Sequence, residues 1–571
     1  MLSEKSTILL LSISFALGFR VWKKWKHLMP KSTGYHTLVI TTSVLLINGV
    51  IFLLQKNSHD AYSIYAYIVA MVFGALAEEL NQEQNVKEKG EKYLLIPLIV
   101  ILIGIAIALP MRTYKISDLP FYNDERFELE TAMGYLKTGE FVRWDFQNDE
   151  MMNIDDPSYT LPKAYVWQIA QVFEKMTANE FSGRLVSIIW GTLTVAVFIT
   201  FTFLITKNIP LTVASAITAA WNPLLIWSST TLREYSMIAA CGLLLILLIE
   251  VTKKGGGFFF LIRTLLIFIF AVVFRKTHPV FFVLIGAAIL YTTWDLLKNY
   301  QKKYNLHTSI PLLISALVGA TGLWVAVQKS YPLTLKLLNP NLEYITYAFR
   351  DFRLPIWAFG ATVLGGIIVW KKSKWIPTAI IFSMLIMIFI GDRYSSAKYA
   401  LFFLPTLWIV TLIGIHALAG IITRGKRPAL QTCVFFILFF LIGPFLSIPG
   451  KAAVTGITKN FPTDDRLAES SDLRGAYSYV AEKITGDEMT YIRAKHSYYL
   501  VGVDLPSQAF PKTLSELTTL MAKGDSWFIY PKDTSRVIPG NLKKHLAVSC
   551  VRHRTISRKT NMEVFHCKAG E

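Results

Sequence analysis

The sequence predicts an α-helical polytopic membrane protein of about 14 transmembrane helices with a small α/β domain at its C-terminal end, outside the membrane. Three observations carry this. Of 571 residues, 53% are hydrophobic and only 17% are charged, against roughly a quarter charged in a soluble domain. Apolar runs of about 20 residues, the length that crosses hydrocarbon about 30 Å thick, recur along the chain. They stop near residue 450, and the remainder carries 18 Lys+Arg and 13 Asp+Glu. This composition excludes a water-soluble globular enzyme. Four cysteines exclude a disulfide-dense scaffold.

The candidate spans are residues 6–22, 36–55, 61–80, 93–110, 183–206, 210–228, 232–252, 258–275, 279–297, 309–328, 354–370, 375–391, 397–422 and 428–448. The first ends in Arg20, Trp22, Lys23, Lys24 and Trp25. It lacks a small-residue cleavage site and is read as a span, not a signal peptide. Alternate loops carry the lysines, from Lys23, Lys24, Lys26 and Lys31 to Lys371, Lys372 and Lys374, then Arg424, Lys426 and Arg427. The positive-inside rule makes those loops cytoplasmic. Both termini then fall outside, with the two largest polar segments, 111–182 and 450–571. The formal charge of +19 is on this reading mostly a topological signal, and no nucleic-acid partner is expected.

Arg233, Arg275, Lys276, Arg393 and Lys398 break the rule by facing outward in short loops or at span ends. Two readings stay open. Such cations snorkel to lipid headgroups, or several of them converge on an anionic substrate at the outer face.

The outer loop 111–182 opens with Leu119-Pro120-Phe121-Tyr122-Asn123-Asp124-Glu125-Arg126 and continues as an amphipathic stretch to Gly139. This predicts a turn feeding a short surface helix. Adjacent on a helix, Asp124 and Glu125 diverge by about 100° and cannot both point at one atom. Capping of the helix N-terminus accounts for such a pair; so does a base beside a carboxylate that holds a neighbour. Asp155-Asp156-Pro157 follows, then Leu161-Pro162-Lys163-Ala164-Tyr165-Val166-Trp167 and an amphipathic run to Phe173, with Tyr165 and Trp167 suited to a membrane interface.

In the segment 450–571, helices are expected near Leu473–Ile484 and Leu514–Met521, strands near Met489–Arg493 and Ser526–Tyr530, and two edge strands at Leu546–Val551 and Met562–Cys567. Cys241 and Cys433 sit in apolar runs, which leaves Cys550 and Cys567 able to pair. They would close a loop of about 18 residues, worth about 3 kcal/mol on the chain-entropy estimate. The domain positions an acceptor or caps the active site, or it serves as a folded appendage that stabilises the outer loops.

Taken in order, these motifs resemble the GT-C superfamily of polyprenyl-phosphate-sugar-dependent glycosyltransferases, the group of protein O-mannosyltransferases and lipid A aminoarabinose transferases. Asn123-Asp124-Glu125-Arg126-Phe127 and the helix to Gly139-Glu140-Phe141 look like the family's acidic pair in its first outer loop. Pro162 to Trp167 echoes its Pro-containing aromatic segment, and Arg184-Leu185-Val186-Ser187 its Arg-opened span. Ala219 to Asn222-Pro223 through Arg233-Glu234-Tyr235 is similar to its short spans with an outer Arg/Glu-aromatic turn. Arg393-Tyr394 and Lys398-Tyr399 before Leu404-Pro405 echo its late outer loop. Two features depart from the family: three spans precede the core, and the proline segment lacks the common Pro-Pro-Leu form.

The resemblance implies three regions: extra N-terminal helices over 1–92, a catalytic membrane core over 93–449 and the outer α/β domain over 450–571. It implies an inverting transfer of a sugar from a polyprenyl-phosphate donor to an acceptor lipid, glycan or protein on the extracytoplasmic side of a plasma membrane. Asp124 would be the general base and Glu125 its companion. Arg233, Lys276, His278, Arg393 and Lys398 would hold the donor phosphate. His278, just before Pro279 at a span junction, equally suits a structural hydrogen bond. Asp155, Asp156, Tyr165, Glu234 and Tyr235 would line the acceptor or donor pocket. Asp124, Glu125, Asp155 and Asp156 have the chemistry of a hard-oxygen metal set, but the relatives with phosphate monoester donors resemble metal-independent enzymes, so neither metal nor other cofactor is expected. A transporter or flippase of lipid-linked glycans is the alternative class, with a glycan polymerase or ligase a third. Transporters show internal repeats and midplane charges, whereas here no repeat is visible and the charges gather at one face.

Overall fold

The computed structural model describes residues 92–113, 116–117, 120–121, 125–152, 162–252, 284–295, 341–349, 354–390, 397–425, 428–442, 472–493, 496–503, 505–531, 538–560 and 562–569. It is mostly helical, with a small mixed sheet near the C-terminus. The chain divides into two compact units. One comprises Met1–Tyr114, Ser187–Thr230 and Glu234–Ala453; the other comprises Lys115–Val186, Thr231–Arg233 and Val454–Glu571.

The first unit consists of apolar helices. Lys92–Thr113, Ile209–Trp221, Pro223–Ser229, Tyr235–Thr252, Pro355–Lys372, Trp375–Ile390, Leu404–Ile422 and Pro428–Ile442 belong to it, with the longer part of Glu180–Thr206. Among the described residues, Glu180–Thr206 and Leu404–Ile422 are long and apolar enough to cross a membrane; Ile209–Trp221 and Pro223–Ser229 make a third span if the pair, bent by 51°, is taken as one. The spans expected over 6–22, 36–55, 61–80, 258–275 and 309–328 lie outside the described residues.

The helix Pro355–Lys372 shows what solvent this unit is built for. Ala358, Ala361, Gly365 and Val369 face inward, while Ile356, Trp357, Phe359, Val363, Ile367 and Trp370 face outward. Small residues inside and large apolar ones outside is the arrangement of a helix that packs closely on a neighbour and meets lipid on its other face. With the long apolar helices, it marks an integral membrane protein. The inward stripe lies on Leu404–Ile422, where a Cβ on Gly414 would fall 1.7 Å from the Ala361 carbonyl oxygen. Thr362 and Thr411 hydroxyls bond at 2.7 Å across the same crossing.

The run 210–228, expected as one span, breaks at Asn222-Pro223. Proline has no N–H for the carbonyl of residue 219, and Asn222 Oδ1 takes the Leu224 and Leu225 amides at 3.0 and 3.1 Å as an N-cap. The carbonyls of Ala219 and Ala220 therefore lose their helical donors. Arg112, fully buried, supplies replacements: Nη2 donates to Ala219 O at 3.1 Å and Nη1 to Ala220 O at 3.3 Å, while Nε donates to Ser229 Oγ at 3.2 Å.

In the second unit, Glu125–Thr138 and Lys163–Lys175 are helices that pack on each other, joined through a short hairpin of β1, Trp144–Asp145, and β2, Glu150–Met151. The sheet contains β3, Met489–Ile492; β4, Ser507–Ala509; β5, Ser526–Pro531; β6, Val551–Arg552; and β7, Met562–Cys567. Its order is β4-β3-β5-β7-β6, parallel among β4, β3 and β5 and antiparallel from β5 to β7 to β6. β5 is buried along its whole length. Helices Leu514–Lys523 and Gly540–Ser549 add Leu517, Met521, Leu542 and Leu546 to a core with Tyr491, Phe528 and Phe565. Thr513 and Glu516 form a capping box at the first of these helices.

Two expectations are corrected here. Leu546–Val551 is not an edge strand: most of it is the end of Gly540–Ser549, because Leu542 and Leu546, one turn apart, reach the core from a helix. β7 is not an edge strand either, since β5 and β6 flank it. The Cys550–Cys567 disulfide is formed, with a Cα–Cα distance of 4.4 Å.

Candidate functional site

The helix Glu125–Thr138 begins with Glu125 and Glu128 in its first turn. Acidic residues there favour the positive end of the helix dipole, and their spacing of three puts both on one face. Both are fully buried, as is Glu130, so each needs a cation. Each has one. Arg184 Nε donates to Glu125 Oε1 at 2.9 Å and Nη2 to Oε2 at 2.6 Å. Arg233 Nη1 stands 2.9 Å from Glu128 Oε1. Arg143 donates from Nε to Glu130 Oε2 at 2.7 Å and also contacts it through Nη2. Burial pushes the Glu130 carboxyl above its ordinary range, opposed by Arg143 and Arg126.

Arg184 does more than neutralise Glu125. Its Nη1 donates to Ile116 O and its Nη2 to Pro120 O, both at 3.0 Å, and its guanidinium lies 5.1 Å from the Phe121 ring centroid. The chain entering the acidic motif is therefore fixed by the residue that opens the Arg184-Leu185-Val186-Ser187 motif. The Leu232 amide donates to Glu125 Oε1, tying in the segment that carries Arg233.

Residues after 454 complete the same unit. The Phe121 amide donates to Tyr499 Oη, whose hydroxyl donates to Glu180 Oε1 at 3.0 Å. Arg474 pairs with the same Glu180 oxygen at 3.1 Å. Tyr498 donates to Ala178 O at 3.1 Å and the Phe146 amide to Ser497 Oγ at 3.2 Å. Burial and the Glu180 carboxylate push the Tyr499 phenol well above its usual range, so it stays a neutral donor.

Of the residues that sequence reading singled out, Asp124, Asp155, Asp156, Lys276, His278 and Arg393 lie outside the described residues. Glu125 is locked to Arg184, and Arg233 faces Glu128. Tyr165 is fully buried on its helix while Trp167, two positions on, is 47% exposed.

Within the first unit, Lys398 and Tyr235 come together. Lys398 is 2% exposed, on the short 3-10 turn Ala397–Ala400. Its Nζ lies 5.2 Å from the Tyr235 ring centroid and 5.4 Å from that of Tyr399, and Tyr235 in turn stacks on Trp227 at 5.4 Å. Glu234, the residue before Tyr235, is likewise buried. A desolvated ammonium held against aromatic faces is suited to an added anion.

Sequence reasoning passed over Glu128, Glu130, Arg143 and Arg112, and quoted Arg184 without a role. The signal for Glu128 was its spacing of three from Glu125. The other partners carried none, because Glu130 and Arg143 lie 13 positions apart and Arg112 reaches carbonyls more than 100 positions away, both beyond helical spacing.

No family model and no curated protein matches this sequence. Among solved structures the chain bears a distant likeness to ArnT from Cupriavidus metallidurans. The apo-state structure gives a TM-score of 0.47 at 10% identity, and the one bound to undecaprenyl phosphate gives 0.44 at 9%; each likeness covers 82% of this chain and 97% of that chain.

Proposed function

We propose that this protein is an integral membrane glycosyltransferase that moves a sugar from a polyprenyl-phosphate donor to an acceptor on the extracytoplasmic side of a plasma membrane. The donor class comes from the ordered sequence motifs. One structural observation supports it most: the acidic motif at 123–126 and the Arg-opened motif at 184, separate in sequence, close on each other through the Glu125–Arg184 pair.

That pair also divides the acidic residues by role. Glu125 is buried and its carboxylate is engaged by Arg184 and the Leu232 amide, so it positions the loop. The general base is then Asp124, which takes the proton of an acceptor hydroxyl or amine as that atom attacks the anomeric carbon. The bond to the lipid phosphate breaks in the same step, and single displacement inverts the anomeric configuration. Lys398, with Lys276, His278 and Arg393, carries the positive charge that stabilises the departing phosphate. Arg233 acts through Glu128, with a smaller direct part. About 14 spans, with the site and the C-terminal domain outside, complete the topology.

The test is Asp124→Asn in purified protein, assayed for transfer from a polyprenyl-phosphate sugar. A loss of about a hundredfold or more is expected for removal of a general base. Wild-type turnover by this variant would refute the assignment.

A further inference from the structure

At one end of the C-terminal sheet, three side chains outside the proposed reaction stand together. Glu488 immediately precedes β3 and Asp525 immediately precedes β5. These strands run parallel with Met489 opposite Ser526, so both carboxylates enter at the same level. β7 returns antiparallel, with Cys567 opposite Ser526 and His566 opposite Trp527, and this brings an imidazole to the same end. One ligand atom from each of Glu488, Asp525 and His566 lies within 4.8 Å of the other two.

Ordinary pairing does not account for this group. His566 Nε2 is buried and has no hydrogen-bond partner among the described residues; Glu488 Oε2 is 3.7 Å away, beyond hydrogen-bond range. Stacking on Trp527, with ring centroids 4.3 Å apart, fixes the imidazole. Other contacts orient the carboxylates. Trp527 Nε1 donates to Glu488 Oε2 at 2.6 Å and Thr485 Oγ1 to Oε1 at 2.9 Å, while the Ala569 amide donates to Asp525 Oδ1 at 2.8 Å. Each potential ligand is thus held by a neighbour, as the ligands of metal sites are. Asp525 is exposed, which leaves a way in from solvent.

We propose that Glu488, Asp525 and His566 form a divalent-cation site, and that Zn2+ is the ion its donors suit. One imidazole nitrogen with two carboxylate oxygens matches zinc and leaves a fourth position for water, whereas Ca2+ and Mg2+ favour oxygen alone. Bonds of about 2.0 Å in a tetrahedron place ligand atoms about 3.3 Å apart, so they must draw in from the present spread; the exposed Asp525 side chain has the freedom to do so. A bound ion would fasten the C-terminal strand to the starts of β3 and β5, beside the Cys550–Cys567 link.

The test uses the full chain in detergent, stripped with chelator and titrated with Zn2+ by calorimetry, with bound zinc counted by elemental analysis. One equivalent is expected. Asp525→Asn, outside the core, keeps the fold and weakens binding by more than about tenfold; His566→Gln removes it. Asp487→Asn, beside the site, binds as the wild type does. The site is overturned if the wild type shows no binding tighter than about 100 μM, as a bare His566–Glu488 charge pair would give, or if Asp525→Asn binds zinc as tightly as the wild type.

Discussion

Glu125 and Arg184, 59 positions apart, meet in a two-pronged ion pair of 2.9 and 2.6 Å with both side chains buried. Two further Arg184 bonds hold the carbonyls of Ile116 and Pro120. Removing one member of a buried pair strands the other, which costs about 3–5 kcal/mol. Arg184→Ala should therefore lose that much in unfolding measured in detergent. Arg184→Lys keeps the charge but not the fork and should fall between. A melting profile for Arg184→Ala that overlays the wild type would remove the pair from any role in shaping the loop.

Lys398 and Arg233 are both outward cations in the sequence, yet their surroundings predict different phenotypes. Arg233 stands against Glu128, so Arg233→Ala should appear first as lost stability. Lys398 has aromatic rings as its partners among the described residues. If it binds the donor phosphate, a charged hydrogen bond of about 1.5–3 kcal/mol is at stake. Lys398→Met should then raise the donor KM by about tenfold or more with little change in melting, and Lys398→Arg should recover part of it. A Lys371→Ala, Lys372→Ala double variant is the control; an equal effect there would argue against a phosphate role for Lys398.

His496 makes stability depend on pH. Its ring is buried near Phe121, Tyr498 and Tyr499, and neither ring nitrogen has a hydrogen-bond partner among the described residues. Burial, with smaller contributions from Arg126 and Arg143, lowers its pKa from 6.5 to about 3. Between those values the unfolded chain binds the proton and the folded chain does not, so stability rises with pH. It should fall by about 1.4 kcal/mol for each unit of acidification below 6.5. Glu130, whose carboxyl is raised, acts in the opposite sense, so the informative quantity is the wild type minus His496→Phe. Unfolding from pH 7.5 to 5 should show a flatter slope in the variant; parallel curves would rule out His496 as the source.

What was legible in the sequence follows the range over which each signal acts. Apolar length located the helices near 183–206, 354–370 and 375–391, which appear as Glu180–Thr206, Pro355–Lys372 and Trp375–Ile390. Short apolar runs in the polar C-terminal segment located β3 and β5, and elimination located the disulfide. The bend at Asn222-Pro223 was missed although its dipeptide was visible, because the hydropathy of 210–228 hides a missing backbone donor. The end of Gly540–Ser549 was misread because a run as short as 546–551 fits either period. The pairings Glu125–Arg184 and Glu128–Arg233 join residues 59 and 105 positions apart, and helical spacing reports only neighbours within about one turn. The acidic motif was therefore recognisable as a motif, while the residue that locks it was not.

Two adjacent glycines on one helix separate packing from propensity. A Cβ on Gly365 would fall 2.0 Å from the Val410 carbonyl oxygen, whereas one on Gly366 would meet nothing within 4 Å. Both lie inside Pro355–Lys372. At Gly366 alanine only reduces the conformational freedom of the unfolded chain, so Gly366→Ala should stabilise by about 0.5–1 kcal/mol. At Gly365 the same methyl group must push the Leu404–Ile422 helix away. It meets backbone, which cannot turn aside as a side chain can, so Gly365→Ala should destabilise by about 3 kcal/mol. Thermal unfolding of the two variants in the same detergent compares them directly. Equal shifts would mean that the two helices do not cross as closely as Gly365 and Gly414 allow.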